Sequence, residues 1–167
     1  MLKTKTLTLT ALFAALIAIF AQISIPIGVV PVNFAHIGIF LGAALLGPKF
    51  GALSTIIYVL MGMVGVPVFS GFNGGFGSIV GPTGGFILGY ILCSFLTGHL
   101  VKATHTYIIP MIVGLLANYL VGIPWLMFVT GMNFASALMV AVIPFLLGDG
   151  FKIILSAIIA KRLNSFN

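Results

Sequence analysis

Acid is almost missing from this chain: Asp149 is its single acidic side chain, and only 5% of the 167 residues carry charge. So little charge cannot cover a water-exposed surface, which excludes a soluble globular protein. Cysteine occurs once, as Cys93. No disulfide can close within the chain, no cysteine metal spacing exists, and Cys93 reads as an inert packing residue. Gly-Lys-Ser and Gly-Lys-Thr are absent, so there is no phosphate-cradling P-loop and no visible means of hydrolysing ATP. What is present is apolar, with 61% hydrophobic residues and a mean hydropathy of +1.32. The formal charge of +6 comes from basic residues scattered beside apolar runs. Such scattering excludes a nucleic-acid-binding patch and makes these residues topology signals in a lipid bilayer.

A membrane span takes roughly 20 mostly apolar residues. Gly, Pro and Lys punctuation divides the chain into six, predicted at 7–25, 33–46, 51–64, 84–101, 107–128 and 135–160. The breaks are Pro26-Ile27-Gly28, Gly47-Pro48-Lys49, Lys102 and Lys161-Arg162, with Pro124 and Pro144 inside the last two spans. The expected fold is therefore an all-α bundle of six transmembrane helices, forming one domain over residues 1–167. With the amino terminus in the cytoplasm, Lys3, Lys5, Lys49, Lys102, Lys161 and Arg162 all fall on the cytoplasmic side. Both termini are then cytoplasmic, and Lys152 is the only basic residue within a span. Lys3 and Lys5 before an apolar run also have the order of a signal peptide. The run continues to Ile25, however, and its removal would leave five spans and spoil the charge pattern, so it is expected to stay. Ala11, Ala14, Ala15 and Ala18 form two Ala-x-x-x-Ala spacings, which let another helix approach closely in lipid. Spacing leaves open whether that helix is internal or belongs to a partner.

Asp149 and Lys152 stand three residues apart, on one helix face, where they can pair. An unpaired charge at mid-bilayer costs at least about 2.5–3.5 kcal/mol on insertion scales, so intramembrane ionisable residues usually mark a substrate or ion path. A pair that only satisfies itself is the bland alternative. Side chains lean toward the amino terminus of their helix, so both groups are expected to point to the outer half of the bundle. That half is capped by Gly71-Phe-Asn-Gly-Gly-Phe-Gly-Ser-Ile-Val-Gly-Pro-Thr-Gly-Gly-Phe86, with seven glycines in sixteen positions. Glycine lets a backbone approach a ligand without a Cβ in the way, so this outer segment could offer bare N–H and C=O groups to a small solute.

In order, "LLGPKFGALS" at 45–54, "GVPVFSGFNGGFGSIVGPTGGF" at 65–86 and Gly148-Asp149-x-x-Lys152 resemble the BioY family, the biotin-specific S components of energy-coupling-factor (ECF) transporters. The resemblance covers essentially the whole chain. It implies a substrate-specific subunit in the cytoplasmic membrane of a prokaryote, capturing biotin and working with a membrane T component and two cytoplasmic ATP-binding subunits. It implies no cofactor and no enzymatic activity, biotin being the transported ligand, and it makes Ala11, Ala15 and Ala18 the docking face for the T component. Biotin carries a cyclic urea, a largely apolar thioether ring and a carboxylate. Asp149 can accept from the urea N–H groups, and Lys152 can donate to the urea carbonyl or hold Asp149 ionised. Candidate contacts are Ser70, Asn73 and Thr83, with Gly74 and Gly75 as bare backbone and Phe69, Phe72 and Tyr90 against ring or tail.

The chain departs from the family pattern in three places. The family generally has Gln where this chain has Ala35, often Pro where it has Leu147, and Tyr where it has Phe86. The first departure suggests that Asn33 or His36 takes over a ligand contact, or that the solute is a biotin precursor or another vitamin. His36 otherwise reads as a polar interface residue, His99 and His105 as solvated, and Trp125 as part of the outer aromatic belt. Two other classes compete: a small channel with the glycine segment as filter, and a structural assembly factor. No span shows the polar stripe a channel needs, and an assembly factor leaves the buried pair without a purpose.

Overall fold

The computed structural model describes residues 2–26 and 29–164, so Ile27 and Gly28 of the expected first break lie outside the described residues. Helix α1 (Leu2–Gln22) leads to a two-residue hairpin, β1 (Ser24–Ile25) with β2 (Val32–Asn33), in the register Ser24↔Asn33 and Ile25↔Val32. Helix α2 (Ala35–Met63) follows, then the short α3 (Phe76–Val80), α4 (Gly84–Thr104) and α5 (Ile108–Thr130). The chain ends in α6 (Phe134–Ala141), a 3-10 turn at Ile143–Phe145, and α7 (Leu146–Asn164). The first span thus stops at Gln22, three residues earlier than expected, because the segment before Pro26 pairs as a strand.

Among the described residues, five segments are long and apolar enough to cross a membrane: Thr4–Gln22, Ala35–Met63, Gly84–Thr104, Ile108–Thr130 and Phe134–Asn164. The second supplies two of the six expected crossings, because Gly47 breaks α2 with φ 76° and ψ −176°. A side chain rarely adopts such a φ, and Pro48 then starts the next limb without needing a donor partner. Limbs 35–46 and 48–63 fold back on each other. A Cβ on Gly51 would lie 2.7 Å from Cα of Ala43, whereas a straight helix would hold the two about 12 Å apart. On α4, Gly98 seats against the same turn, where a Cβ would lie 2.8 Å from the Pro48 nitrogen. Lipid offers no hydrophobic drive between helices, so such close backbone approach supplies the packing that holds the bundle together.

The core runs through Ile17, Ile39, Phe40, Tyr58, Tyr90, Met111 and Leu126. Outside it, Leu147 is 92% and Phe128 86% exposed, a surface that lipid tails and not water can solvate. Pro144 divides the expected sixth span, and the break starts α7 three residues before Asp149, in the first turn where the helix dipole favours an anion. Ends alternate along the chain. Gln22, Asn33, Met63, Gly84, Thr130 and Phe134 lie toward one end of the bundle, and Lys5, Gly47, Lys49, Lys102, Lys161 and Arg162 toward the other.

Candidate functional site

At the end opposite Lys49, Lys102 and Lys161, two adjoining cavities open between α2, α4, α5 and α7. The inner one, of about 30 Å³, is lined by Asp149 and Lys152 of α7, His36, Asn118, Tyr119, Ala141 and Phe145. Ser70, Asn73, Ser78 and Thr83 of the glycine segment, with Val29, Tyr58, Phe69 and Ile87, line the outer one, of about 220 Å³. Val30, Pro31, Asn33, Phe86 and Tyr90 border both, so the two are lobes of one site.

The charged pair sits in the wall of the inner lobe. Lys152 Nζ donates to Asp149 Oδ1 at 2.8 Å, and their side chains are 2% and 5% exposed. The Tyr119 hydroxyl donates to the other carboxylate oxygen, Oδ2. The ammonium also lies 5.8 Å from the centroid of the Phe34 ring, within cation–π range. Two donors and the amino-terminal end of α7 thus meet the Asp149 carboxyl, and Lys152 still has N–H groups to donate. A buried pair of this kind is weak evidence for stability by itself, since desolvation offsets its attraction. Its place on a cavity wall gives it chemistry to do.

Behind it, His36 Nε2 lies 3.3 Å from Asn118 Nδ2, and its ring meets Tyr90 edge-on with centroids 5.0 Å apart. His36 is buried, not an interface residue as its position at the start of a span suggested. Ala35, at the position expected to hold Gln, packs in the core and lines neither lobe, while Asn33 and His36 on either side of it do. Asn33 joins three parts of the site. Its Oδ1 accepts from the Ala35 N–H at 3.0 Å, and its Nδ2 donates to Ser70 Oγ at 2.6 Å and to the Tyr90 hydroxyl at 3.4 Å.

The fold brings Asp149, Lys152, Ser70, Asn73, Thr83 and Tyr90 together around one space, and Phe69 with them. Phe72, Gly74 and Gly75 line neither lobe. Phe72 is 72% exposed, pointing away with φ 57°. Gly74 is backed by the Val66 carbonyl, which a Cβ would approach to 2.5 Å, and the Gly75 N–H donates to the Gly62 carbonyl at 2.6 Å. Without side chains, these glycines let the segment lie close against the end of α2 at Gly62 and against Val66, while Ser70, Asn73 and Thr83 line the outer lobe. Trp125 is drawn into the same work, donating from Nε1 to the Gly81 carbonyl at 3.0 Å.

Gln22 escaped notice in the sequence. At the last turn of α1 its Nε2 donates to the carbonyls of Val68 at 2.9 Å and Phe69 at 3.2 Å, and its Oε1 accepts from the Phe72 N–H at 2.9 Å. One amide thus pins the segment from both sides. The available signal was a lone amide at the end of an apolar run, since a polar group there needs partners. Tyr119 and Asn118 were hidden because nothing in local spacing relates them to Asp149 or His36. On α1, Ala14 is buried while Ala11 and Ala15 face outward beside Leu12 and Ile19; Ala18 is half-buried and packs on the core.

Fold and site together define a multi-pass helical membrane protein with a partly polar cavity near one end. The BioY family model matches residues 1–167. A probable biotin transporter BioY of Pyrococcus horikoshii is 41% identical over 162 residues, covering 97% of this chain and 98% of that protein. The biotin transporter BioY of Thermotoga maritima is 39% identical over 155 residues, covering 91% of each. A crystal structure of the S component for biotin from an ECF-type ABC transporter superposes with a TM-score of 0.90 at 33% identity, covering 98% of this chain and 92% of that one. The chain belongs to the BioY family of transporter proteins.

Proposed function

We propose that residues 1–167 act as one substrate-binding unit that captures biotin, as the S component of an ECF transporter. The observation that carries this reading is the Asp149–Lys152–Tyr119 cluster in the wall of a small inner lobe that adjoins an outer one of about 220 Å³. Asp149 accepts from the urea N–H groups, and Lys152, paired with it at 2.8 Å, has N–H groups left for the urea carbonyl. Phe86 and Tyr90 cover the thioether ring, and Asn33, Ser70, Asn73 and Thr83 meet the tail in the outer lobe. Family membership and the names of the relatives support biotin as the solute.

The basic end faces the cytoplasm of a prokaryotic cell, with both termini inside and the site toward the exterior, in keeping with the rule that Lys and Arg gather on the inner side. Ala11 and Ala15, with Ala18 at the edge, dock the membrane T component, and two ATP-binding subunits supply the hydrolysis that this chain has no motif for. Equilibrium binding of labelled biotin to purified protein tests the core of the reading. Saturable binding that weakens about 10- to 150-fold in Asp149→Asn is expected, the range for a hydrogen bond to a charged group. No saturable binding by folded wild-type protein would overturn it, and competition with biotin precursors would then identify the solute.

A further inference from the structure

At the end opposite the site lies a second, open cavity of about 540 Å³, formed where the Gly47 turn of α2 meets the last turns of α4 and the end of α7. Two kinds of surface face each other in it. Lys49, Lys102 and His105 bring nitrogen donors from two separate helices, while Leu46, Phe50 and Val101 are apolar. Lys49 and Lys102 are exposed. Neither has a carboxylate side chain to neutralise it, because the chain's only acidic side chain, Asp149, is paired with Lys152 about 22 Å away along α7.

We propose that this cavity holds the phosphate headgroup of an anionic phospholipid from the adjoining leaflet. The lysines meet the phosphate as strongly hydrated point charges, and the His105 imidazole offers a further hydrogen bond. Leu46, Phe50 and Val101 meet the glycerol and first acyl carbons, which a free inorganic anion would leave uncovered. The cavity opens where helices emerge from hydrocarbon, the depth at which basic clusters attract acidic lipid. Seated there, the lipid rests on the turn whose Gly47–Gly98 contact joins α2 to α4. None of this depends on what solute the opposite cavity takes.

The test is lipid retention by the full-length protein in detergent, read by native mass spectrometry during titration with phosphatidylglycerol or phosphatidylcholine. Each basic group near an anionic surface strengthens attraction about fivefold, so Lys49→Gln/Lys102→Gln is expected to weaken phosphatidylglycerol retention about 25-fold. Phosphatidylcholine is expected to be retained weakly throughout, and Lys5→Gln/Lys161→Gln, which removes two cations from the same end but outside the cavity, to behave as wild type. Solute binding measured on the same samples is expected to be unchanged in both double variants, showing that they are folded. Equal loss in the Lys5/Lys161 variant would overturn the proposal in favour of diffuse surface attraction. So would equal retention of the two lipids, and displacement of the lipid by millimolar inorganic phosphate would assign the cavity to a free anion instead.

Discussion

Removing the Lys152 ammonium while leaving Asp149 in place is expected to be the most damaging single change in the site. The two charges touch at 2.8 Å, with side chains 2% and 5% exposed. In Lys152→Met the carboxylate keeps only the Tyr119 hydroxyl, and breaking a buried pair from one side costs about 3–5 kcal/mol. Asp149→Asn is milder. It strands the ammonium, but the Phe34 ring stays within cation–π range, an interaction worth about 0.5–2 kcal/mol. Asp149→Asn/Lys152→Met removes both charges together, leaving an amide beside Tyr119 and an apolar chain of similar length. Its cost falls to about 1–2 kcal/mol, the scale of imperfectly replaced hydrogen bonds. The double variant should therefore be more stable than Lys152→Met, although it carries one substitution more. Cys93 supplies the assay, because it is the only cysteine and is fully buried. A thiol-reactive fluorophore then reports unfolding on heating in detergent. Should Lys152→Met melt within about 1 kcal/mol of wild type, or the double variant cost as much as both single changes added, the charges are neither desolvated nor coupled and the reasoning fails.

Further outcomes follow from other contacts. Gln22→Ala should leave the carbonyls of Val68 and Phe69 short of a donor, lower stability by about 1–3 kcal/mol, and speed solute release measured by filter-bound label; an unchanged off-rate would show that the segment over the cavity needs no pin. Gly89→Ala should collide with Asn118 Oδ1 and lie 3.1 Å from the Asn118 carbonyl oxygen, disturbing the His36 contact. Weaker solute binding, partly rescued by Asn118→Ala, is expected, and binding equal to wild type would refute the contact. Ala11→Trp and Ala15→Trp, on the outward face of α1, should abolish co-purification with the T component while leaving biotin binding intact; normal complex assembly by both would move the docking face elsewhere.

Much of the fold was legible because lipid makes few demands that spacing cannot meet. Apolar runs, Gly and Pro breaks and the side on which lysines fall were enough to place six crossings, since a span is set by its own length and composition. The Asp149–Lys152 pair was equally plain, being two charges one helical turn apart in an otherwise uncharged stretch. Glycine showed where the backbone would be irregular but not why. The segment at 71–86 is bare enough to offer N–H and C=O groups to a solute, and in the fold the Gly75 N–H donates to the Gly62 carbonyl while Gly74 backs onto Val66. Deciding between those uses requires knowing what lies opposite each glycine, and that is a property of the folded chain.

The site itself came from distant partners. Tyr119 reaches Asp149 across 30 residues, Gln22 reaches Val68 across 46, and His36 meets Asn118 across 82. None leaves a local trace, because each contact depends on the angle at which two helices cross and on where a helix is broken. The break at Pro144 could be read from a proline; that it turns Asp149 into the wall of a cavity shared with α2 and α5 could not. Local rules determined how many times the chain crosses lipid and where its charges lie. Packing alone decided which of those polar groups meet, because that depends on how the helices are arranged around one another.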